Sequence, residues 1–372
     1  MRSFFIRVLS LCLVLLCLSA AAFAQPYHDL TAACRSVRAA VYDRQTHIEF
    51  SLTESAVAGR HQSAIRDILT DVLEGYVDYT IAFAQKDSLL HVSIDGMLRP
   101  ALNILHAWET GDSSHLTDDE VRCMEIALEI AQDCRKGASN ALEIERAVYD
   151  AVCRHVDYFR SENPPAFGSE EYIRLHTSIG ALLDGQTQCL GYSEVFYLIA
   201  RLSGLDVQMQ YGFPGGASSG KHAWNTVHIA GRDYMTDVCW GDTGADLFEL
   251  TTPDYRYFNV GADLQPQNRH PHPEAQIAAI SEATDWGLTA FSAAGGGVIV
   301  NTLEEAIDYA IARHGDHQPY AHVFISGEQI ALSDVDSLMW ARVKAEGIAT
   351  TWGRMTYDFA GGTYVIFRWV LN

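Results

Sequence analysis

Basic residues are scarce in this chain. Its 372 residues include 26 lysines and arginines against 47 aspartates and glutamates, which gives a formal net charge of −21 at pH 7. Nucleic acids and anionic membranes bind proteins through clustered basic side chains, and an acidic surface repels them. Polyanions are therefore poor candidate substrates, and we expect no nucleic-acid partner.

The sequence also lacks the residue spacings that are typical of metal-binding sites. The chain has no C-x-x-C pair, no Cys/His cluster with the spacing of a zinc site and no D-x-[DN]-x-[DN]-G calcium loop. The acidic stretch GDTGAD at 241–246 stands alone, which is typical of a solvated turn. Four further histidines lack ligand spacing: His270, His272, His314 and His317. We therefore expect neither a metal ion nor another cofactor.

No apolar run beyond residue 24 is long enough to cross a membrane, which takes about 20 residues. Residues 1–24 carry two arginines, a shorter apolar run and small residues that end in an A-x-A pattern. This order is typical of a secretory signal peptide. An uncleaved anchor helix is the alternative, but the run is short for a span. We expect cleavage near Ala24 and an exported protein, whether secreted, on the cell surface or periplasmic.

Six cysteines follow residue 24: Cys34, Cys123, Cys134, Cys153, Cys189 and Cys239. An even number in an exported protein permits disulfides, but a chain of this length does not need them to fold. Cys123 and Cys134 fall on one predicted helix, about 16 Å apart along its axis, so they cannot bond to each other. We expect these two thiols to pack in the core and leave the pairing of the others open.

The patterns predict a mixed α+β chain with several sections. After the signal peptide, 1–24, these are a small α+β unit, a central core, a linker without periodicity and a second α+β unit, at 25–110, 111–260, 261–285 and 286–372. The first unit has a predicted helix at about 62–74 and three predicted strands, at 47–52, 76–84 and 89–95.

Capping patterns locate helices in the other sections. Thr117 with Glu120 begins a helix that runs to about residue 135, and Asn140 with Glu143 begins one that runs to about residue 157. A short helix and strands through about residue 259 complete the core. In the last unit, a Ser333/Asp336 capping pair begins the second helix. Its other predicted elements are strands at 297–301, 321–327, 350–360 and 363–371 and a helix at 303–314.

The segment GQTQCLGYSEVF, residues 185–196, contains the first candidate for chemistry. Apolar residues after Cys189 recur at helical spacing, and Gly204 is placed to end that helix. Cys189 therefore lies in the first turn or just before it, where free amide protons and the helix dipole stabilise a thiolate. The alternative is a buried structural thiol, which is common for cysteine.

A predicted hairpin supplies a candidate base. The patterns indicate two strands, 222–229 and 234–240, joined by a short turn. With a turn of two or four residues, His222 and Asp237 project from the same face, so the carboxylate can hold the imidazole while the other ring nitrogen faces a thiol. The alternatives are a surface histidine and a solvated acid. His228 shares this face but lies close to the turn, where it reaches Asp237 less well.

Three motifs in this order resemble the transglutaminase-like superfamily, in the form common among exported bacterial proteins. They are a cysteine at a helix start in C-L-G-Y-S-E-V-F, the strand H-A-W-N, and an aspartate shortly before W-G-D. The resemblance covers roughly residues 140–245. It implies that Cys189 is the nucleophile, His222 the base and Asp237 the residue that orients the base.

The resemblance also implies a fold and a reaction. The fold is a papain-like α+β core, in which the cysteine helix packs on an antiparallel sheet that carries the histidine and aspartate, flanked by small α+β units. The reaction is acyl transfer through a thioester. An oxyanion hole would use the backbone amide of Cys189 and a side-chain donor, for which Gln186 and Gln188 both remain candidates. Trp224 either walls the acyl site or packs in the core. No calcium dependence is implied.

Three functions follow, in order of preference. The first is an exported cysteine peptidase or amidohydrolase that acts on a protein or peptide. The second is amine transfer, in which the enzyme crosslinks glutamine and lysine side chains. The third is a surface binding or scaffold protein whose core is not catalytic. The sequence indicates no particular substrate or oligomeric state.

Overall fold

A computed structural model describes residues 25–166, 168–212, 220–247, 253–261, 274–275, 297–318, 320–327, 329–359 and 362–370. The predicted signal peptide and almost all of the predicted linker lie outside the described residues. Within those ranges, no helix combines the length and the apolar character that a membrane crossing requires.

The N-terminal part is a three-stranded sheet with four helices. In order, its elements are α1 (Leu30–Tyr42), β1 (His47–Leu52), α2 (Glu54–Val57), α3 (Gln62–Thr70), β2 (Tyr76–Lys86), β3 (Leu89–Leu98) and α4 (Pro100–Thr110). The strands pair antiparallel in the order β1-β3-β2. In β1 every second residue is buried, so the alternation seen in the sequence places one face on the core.

Most predictions for this part are confirmed. The three strands lie where the patterns placed them. Helix α3 ends at Thr70, short of the predicted end, because the residues that follow it turn through tighter hydrogen bonds to the third residue before them. Helices α1, α2 and α4 were not predicted.

The central part contains the helix that begins at Cys189 and a second antiparallel sheet. Its elements are α5 (Asp118–Arg135), α6 (Ala141–His155), β4 (Asp157–Tyr158), α7 (Glu170–Leu175), a π-helical turn (Gly180–Asp184), β5 (Gln186–Thr187), α8 (Cys189–Leu202), β6 (Asp206–Gly212), β7 (His222–Ile229), β8 (Arg232–Thr236), α9 (Val238–Leu247) and a 3-10 turn (Tyr255–Tyr257). The sheet order is β6-β7-β8. Helix α8 packs on β6 and β7, with α4, α5 and α6 on its other sides, so almost all of it is buried. The predicted α+β class is confirmed.

Helix starts in this part follow the capping patterns. The Thr117 side chain accepts a hydrogen bond from the backbone N–H of Glu120, and the Glu120 side chain accepts one from the N–H of Thr117. The Asn140 side chain accepts from the N–H of Glu143 in the same way at the start of α6.

The predicted strand at 234–240 is wrong in its second half. Strand β8 ends at Thr236, and α9 begins two residues later. The reason is the side chain of Asp237, whose Oδ1 accepts a hydrogen bond from the N–H of Trp240 at 3.0 Å. Aspartate is a favoured residue at this capping position, and it starts a helix where alternation alone suggested a continuing strand.

The C-terminal part has a mixed four-stranded sheet with two helices. It consists of β9 (Gly297–Val300), α10 (Leu303–Gly315), β10 (Tyr320–Ser326), α11 (Leu332–Ala345), β11 (Thr351–Phe359) and β12 (Gly362–Val370), in the sheet order β11-β12-β10-β9. Strand β9 is parallel to β10, and the other pairs are antiparallel. The predicted capping pair is wrong: α11 starts after Ala331, Ser333 hydrogen-bonds Asp334, and Asp336 pairs with Arg354 on β11.

A buried ion pair joins the N-terminal part to α8. Arg99, between β3 and α4, places Nη1 3.0 Å from Oε2 of Glu194, and neither side chain is more than 3% exposed. The other carboxylate oxygen accepts hydrogen bonds from the N–H of Ala101 and the hydroxyl of Ser178, both at 2.9 Å. These bonds compensate in part for the loss of water around the buried carboxylate.

The six described cysteines are free thiols. Cys123 and Cys134 are buried, as predicted.

Candidate active site

Cys189 is the first residue of α8 and is partly buried. The amides of the first helical turn have no acceptor within the helix, so their protons and the helix dipole favour a negative charge there. Gly191 allows the tight approach of β5 to this turn, because a Cβ at this position would lie 1.8 Å from Oγ1 of Thr187. The thiol of Cys189 therefore lies at the end of α8 where the backbone amides are free.

The hairpin of β7 and β8 has the register that the sequence predicted. Its turn consists of Ala230 and Gly231, with φ angles of 51° and 77°, which is the backbone of a two-residue hairpin turn. Asn225 pairs with Thr236. Continuing this register places His222 and Asp237 on the same face, one diagonal apart.

The histidine and the aspartate form a short buried contact. Nε2 of His222 lies 2.7 Å from Oδ2 of Asp237, and the side chains are 9% and 0% exposed. The aspartate cannot rotate freely, since its other oxygen caps α9 and its N–H donates to the carbonyl of Tyr257 at 2.8 Å. The imidazole is therefore held through one nitrogen by a carboxylate that is itself fixed.

The other side of the imidazole faces the cysteine. Cys189 and Asp237 both act electrostatically on the imidazole of His222, and because Nε2 is bound to Asp237, the nitrogen left for the thiol is Nδ1. Burial lowers the pKa of His222, but the charges and hydrogen bonds of Asp237 and Cys189 outweigh it and raise that pKa to about 10. These contacts thus favour the charged form of the imidazole.

Trp240 covers the imidazole ring. The two rings stack with centroids 4.5 Å apart at an interplanar angle of 15°. An imidazolium is attracted to the face of an indole, so this contact supports the charged form. Trp240 was not among the predicted site residues, although it belongs to the W-G-D motif.

A further pair of hydrogen bonds holds α8 against β7. The Ser193 hydroxyl donates to the carbonyl of Trp224 at 2.8 Å, and the Asn225 amide donates to the carbonyl of Ser193 at 3.0 Å. Both side chains are buried. The two hydrogen bonds help to fix the position of Cys189 relative to His222. Neither Ser193 nor Asn225 was among the predicted site residues. Trp224 is 2% exposed and lies in the core, which favours the second of its two interpretations.

The remaining candidates lie apart from this cluster. His228 pairs with Asp233 at 2.9 Å at the exposed end of the hairpin, as its distance from Asp237 suggested. Gln186 is exposed on β5, whereas Gln188 is half-buried immediately before α8. His314 contacts Trp369, and His270 and His272 are outside the described residues. The part of the chain that the structure describes contains no cluster of three His, Cys, Asp or Glu side chains suited to a metal ion.

A thiol at a helix start, an imidazole that interacts with it and a buried carboxylate that holds the imidazole are the groups that a Cys-His-Asp site combines. Residues 128–240 match the family model of the transglutaminase-like superfamily. The resemblance is confirmed for this segment, which contains all three residues.

Two curated proteins are similar over a comparable stretch. Kyphoscoliosis peptidase of Mus musculus is 27% identical over 142 residues, which is 35% of this chain and 20% of that protein. The Homo sapiens protein of the same name is 28% identical over 126 residues, or 30% and 18%. The chain thus spans about a fifth of the length of these relatives. A solved structure of a TGase is 14% identical with a TM-score of 0.28, covering 51% of this chain and 50% of that one.

Proposed function

We propose that this protein is an exported cysteine enzyme that hydrolyses amide or peptide bonds in a protein or peptide substrate. Cys189 is the nucleophile, His222 the acid and base, and Asp237 the residue that orients His222. The observation that carries the proposal is the buried 2.7 Å contact between His222 and Asp237, which fixes an imidazole that also interacts with the cysteine at the start of α8.

The reaction has two steps. The thiolate of Cys189 attacks the carbonyl carbon of the substrate, and the C–N bond breaks as the imidazolium of His222 protonates the leaving amine. This leaves a thioester and a neutral imidazole. The imidazole then takes a proton from water, the hydroxide attacks the thioester, and the released thiolate regains its imidazolium partner.

Amine transfer is the alternative within the same chemistry. A primary amine in place of water would resolve the thioester as a new amide, and the sequence motifs allow either outcome. The peptidase name of the curated relatives supports hydrolysis. Incorporation of a labelled primary amine into a glutamine-containing protein, at a rate above release of the free acid, would instead establish transfer.

A non-catalytic scaffold explains the cluster less well. Burying a carboxylate with an imidazole is costly, and an apolar pair of similar volume often serves stability as well or better. A scaffold has no chemical reason to retain this pair beside a thiol at a helix start.

Alkylation of Cys189 tests the proposal. Iodoacetamide should react quickly near neutral pH, and His222→Ala should slow the reaction because the imidazolium that supports the thiolate is lost. His228→Ala is the matched control, since that histidine lies on the same strand and also pairs with an aspartate. Equally slow alkylation in all three proteins would exclude a nucleophilic Cys189.

Export and the division of the chain belong to the same proposal. The signal-peptide pattern of residues 1–24 supports export with cleavage near Ala24. The flanking sections, 25–110 and 286–372, would then be units attached to the core at 111–260. Sequencing the N-terminus of the protein recovered from outside the cytoplasm tests the cleavage.

A further inference from the structure

Two cationic side chains lie next to the candidate active site, one near the nucleophile and one near the base. They belong to Arg160 and Lys221, and each lies over the ring of a half-buried tyrosine. We propose that these two side chains select peptides that have an acidic residue next to the bond that is cleaved. This inference rests on the proposed function and names the class of its substrate.

The short parallel pair of β4 and β5 places Arg160 near the nucleophile. Tyr158 pairs with Thr187, and the N–H of Phe159 donates to the carbonyl of Thr187 at 2.9 Å. Arg160 follows this pair by two residues on one strand, as Cys189 does on the other. The register therefore brings the backbone of Arg160 beside the start of α8.

The guanidinium of Arg160 is exposed, and its central carbon lies 5.5 Å from the centroid of the Tyr158 ring. The attraction between cation and ring holds the guanidinium beside the tyrosine. Asp157 is the acid next to it in the sequence, but alternation along β4 directs the Asp157 and Tyr158 side chains to opposite faces. The N–H groups of Arg160 are thus suited to bind a substrate carboxylate through two parallel hydrogen bonds.

Lys221 has the corresponding position near the base. It comes immediately before His222, the first residue of β7. Its side chain is exposed, and Nζ lies 5.1 Å from the centroid of the Tyr211 ring on β6. A tyrosine ring therefore holds this cation as well.

The ring under Lys221 lies on the side of the sheet that faces α8. Tyr211 pairs with Ala223, so its side chain shares a face with those of Ala223 and Asn225. The Asn225 amide donates to the carbonyl of Ser193 on α8 at 3.0 Å. The tyrosine and the ammonium over it are therefore on the same side of the sheet as the helix that carries the nucleophile.

Acids of the N-terminal part act on Lys221. Burial lowers the pKa of Lys221, whereas Asp71 and Asp67 oppose this shift and favour the charged form. The same two carboxylates offset part of its positive charge. We therefore expect Lys221 to select acidic residues less strongly than Arg160 does.

The proposed reaction assigns one side of the substrate to each cation. The acyl part of the substrate stays on Cys189 as a thioester, whereas His222 protonates the amine that leaves. Arg160 lies near the nucleophile and should meet the residue before the cleaved bond. Lys221 lies next to the base and should meet the residue after that bond.

The rest of the protein limits how acidic the substrate can be. The chain has a formal net charge of −21, which repels a polyanion. Salt screens charges that lie more than about 8 Å apart under physiological conditions, so nearby cations dominate at the site. The substrate class is therefore a peptide with one or two acidic residues at the cleaved bond.

Internally quenched fluorogenic peptides test this selectivity. Starting from the best substrate of a mixed peptide library, Glu, Gln and Lys are compared at the residues before and after the cleaved bond. Wild-type kcat/KM should rank Glu above Gln above Lys, by about fivefold per step before the bond and about twofold after it. Arg160→Glu should invert the order only before the bond, and Lys221→Glu only after it. Each ratio compares peptides on one enzyme sample, so partial unfolding of a variant leaves it unchanged.

Lys136→Glu is the matched control, because Lys136 is an exposed cation near the other end of α8. Its neighbour Arg135 donates to the carbonyl of Leu202, the last residue of α8, at 2.6 Å. Its ratios should equal those of wild type. Equal kcat/KM for the Glu and Gln peptides in wild type would refute the inference, as would variants that slow all peptides alike, and both results leave the proposed hydrolysis intact. If wild type cleaves no peptide, the proposed function fails first and this inference fails with it.

Discussion

Replacing the carboxylate that holds His222 tests the central contact. Asp237→Asn keeps the size of the side chain, and its oxygen can still cap α9. Its NH₂ group, however, would face Nε2 of His222 and make that nitrogen an acceptor. The neutral ring would then carry its proton on Nδ1, the nitrogen that faces Cys189, and could not accept a proton from the thiol.

The size of the effect follows from the pKa of His222. In wild type the aspartate and the cysteine raise that pKa to about 10. Relative to an ordinary value of about 6.5, this corresponds to about 5 kcal/mol of stabilisation of the imidazolium, which the two partners share. We therefore expect kcat/KM to fall by about 10³-fold in Asp237→Asn.

The pH profile of kcat/KM provides the assay. The imidazolium is the acid, so wild-type activity should persist from neutral pH until His222 loses its proton near pH 10. In Asp237→Asn this alkaline limb should move to lower pH, because burial still disfavours the charge and the carboxylate no longer opposes it. Asp233→Asn, which removes the exposed partner of His228, is the control. An alkaline limb at the wild-type pH, or a fall in kcat/KM of less than tenfold, would refute the reasoning.

Three further predictions concern the fold. Burial raises the pKa of Glu145 to about 8, so the native state keeps a proton that the unfolded chain has lost. Stability should therefore fall as the pH rises from about 4.5 to 8, and Glu145→Gln should remove most of this slope in thermal unfolding at pH 5 and pH 8. Gly191→Ala should destabilise the protein by about 1–3 kcal/mol, because the new methyl meets a buried threonine hydroxyl, whereas Gly220→Ala should have little effect, since nothing lies within 4 Å of a Cβ there. Equal Tm values for the two glycine variants would contradict this. Arg99→Met leaves Glu194 buried without its cation and should cost about 3–5 kcal/mol in urea unfolding, and a loss below about 1 kcal/mol would show that the pair contributes little.

Patterns along the chain predicted the local parts of the site well. The start of α8 at Cys189 follows from the apolar spacing after it. The face shared by His222 and Asp237 follows from the period of two in a strand and from a two-residue turn. Both depend on neighbours within about one turn or one hairpin, which is why the sequence alone could predict them.

Other local features were obscured by competing signals. The alternation through residue 240 suggested a strand, but one aspartate side chain was enough to start α9 there. At α11 the apparent capping pair forms other bonds, with Asp336 paired to β11. In both places a side chain forms a hydrogen bond or an ion pair that the local sequence pattern does not reveal.

The sequence by itself determined most of the strands, several of the helices and which residues share a face within a helix or a hairpin, because those depend on short-range periodicity and capping. The tertiary structure alone decided which elements meet. The approach of Cys189 to His222 depends on how α8 packs against β7. The guanidinium of Arg99 joins a strand end to a helix 95 residues further along the chain. Such contacts form only when buried side chains fill the space between distant segments.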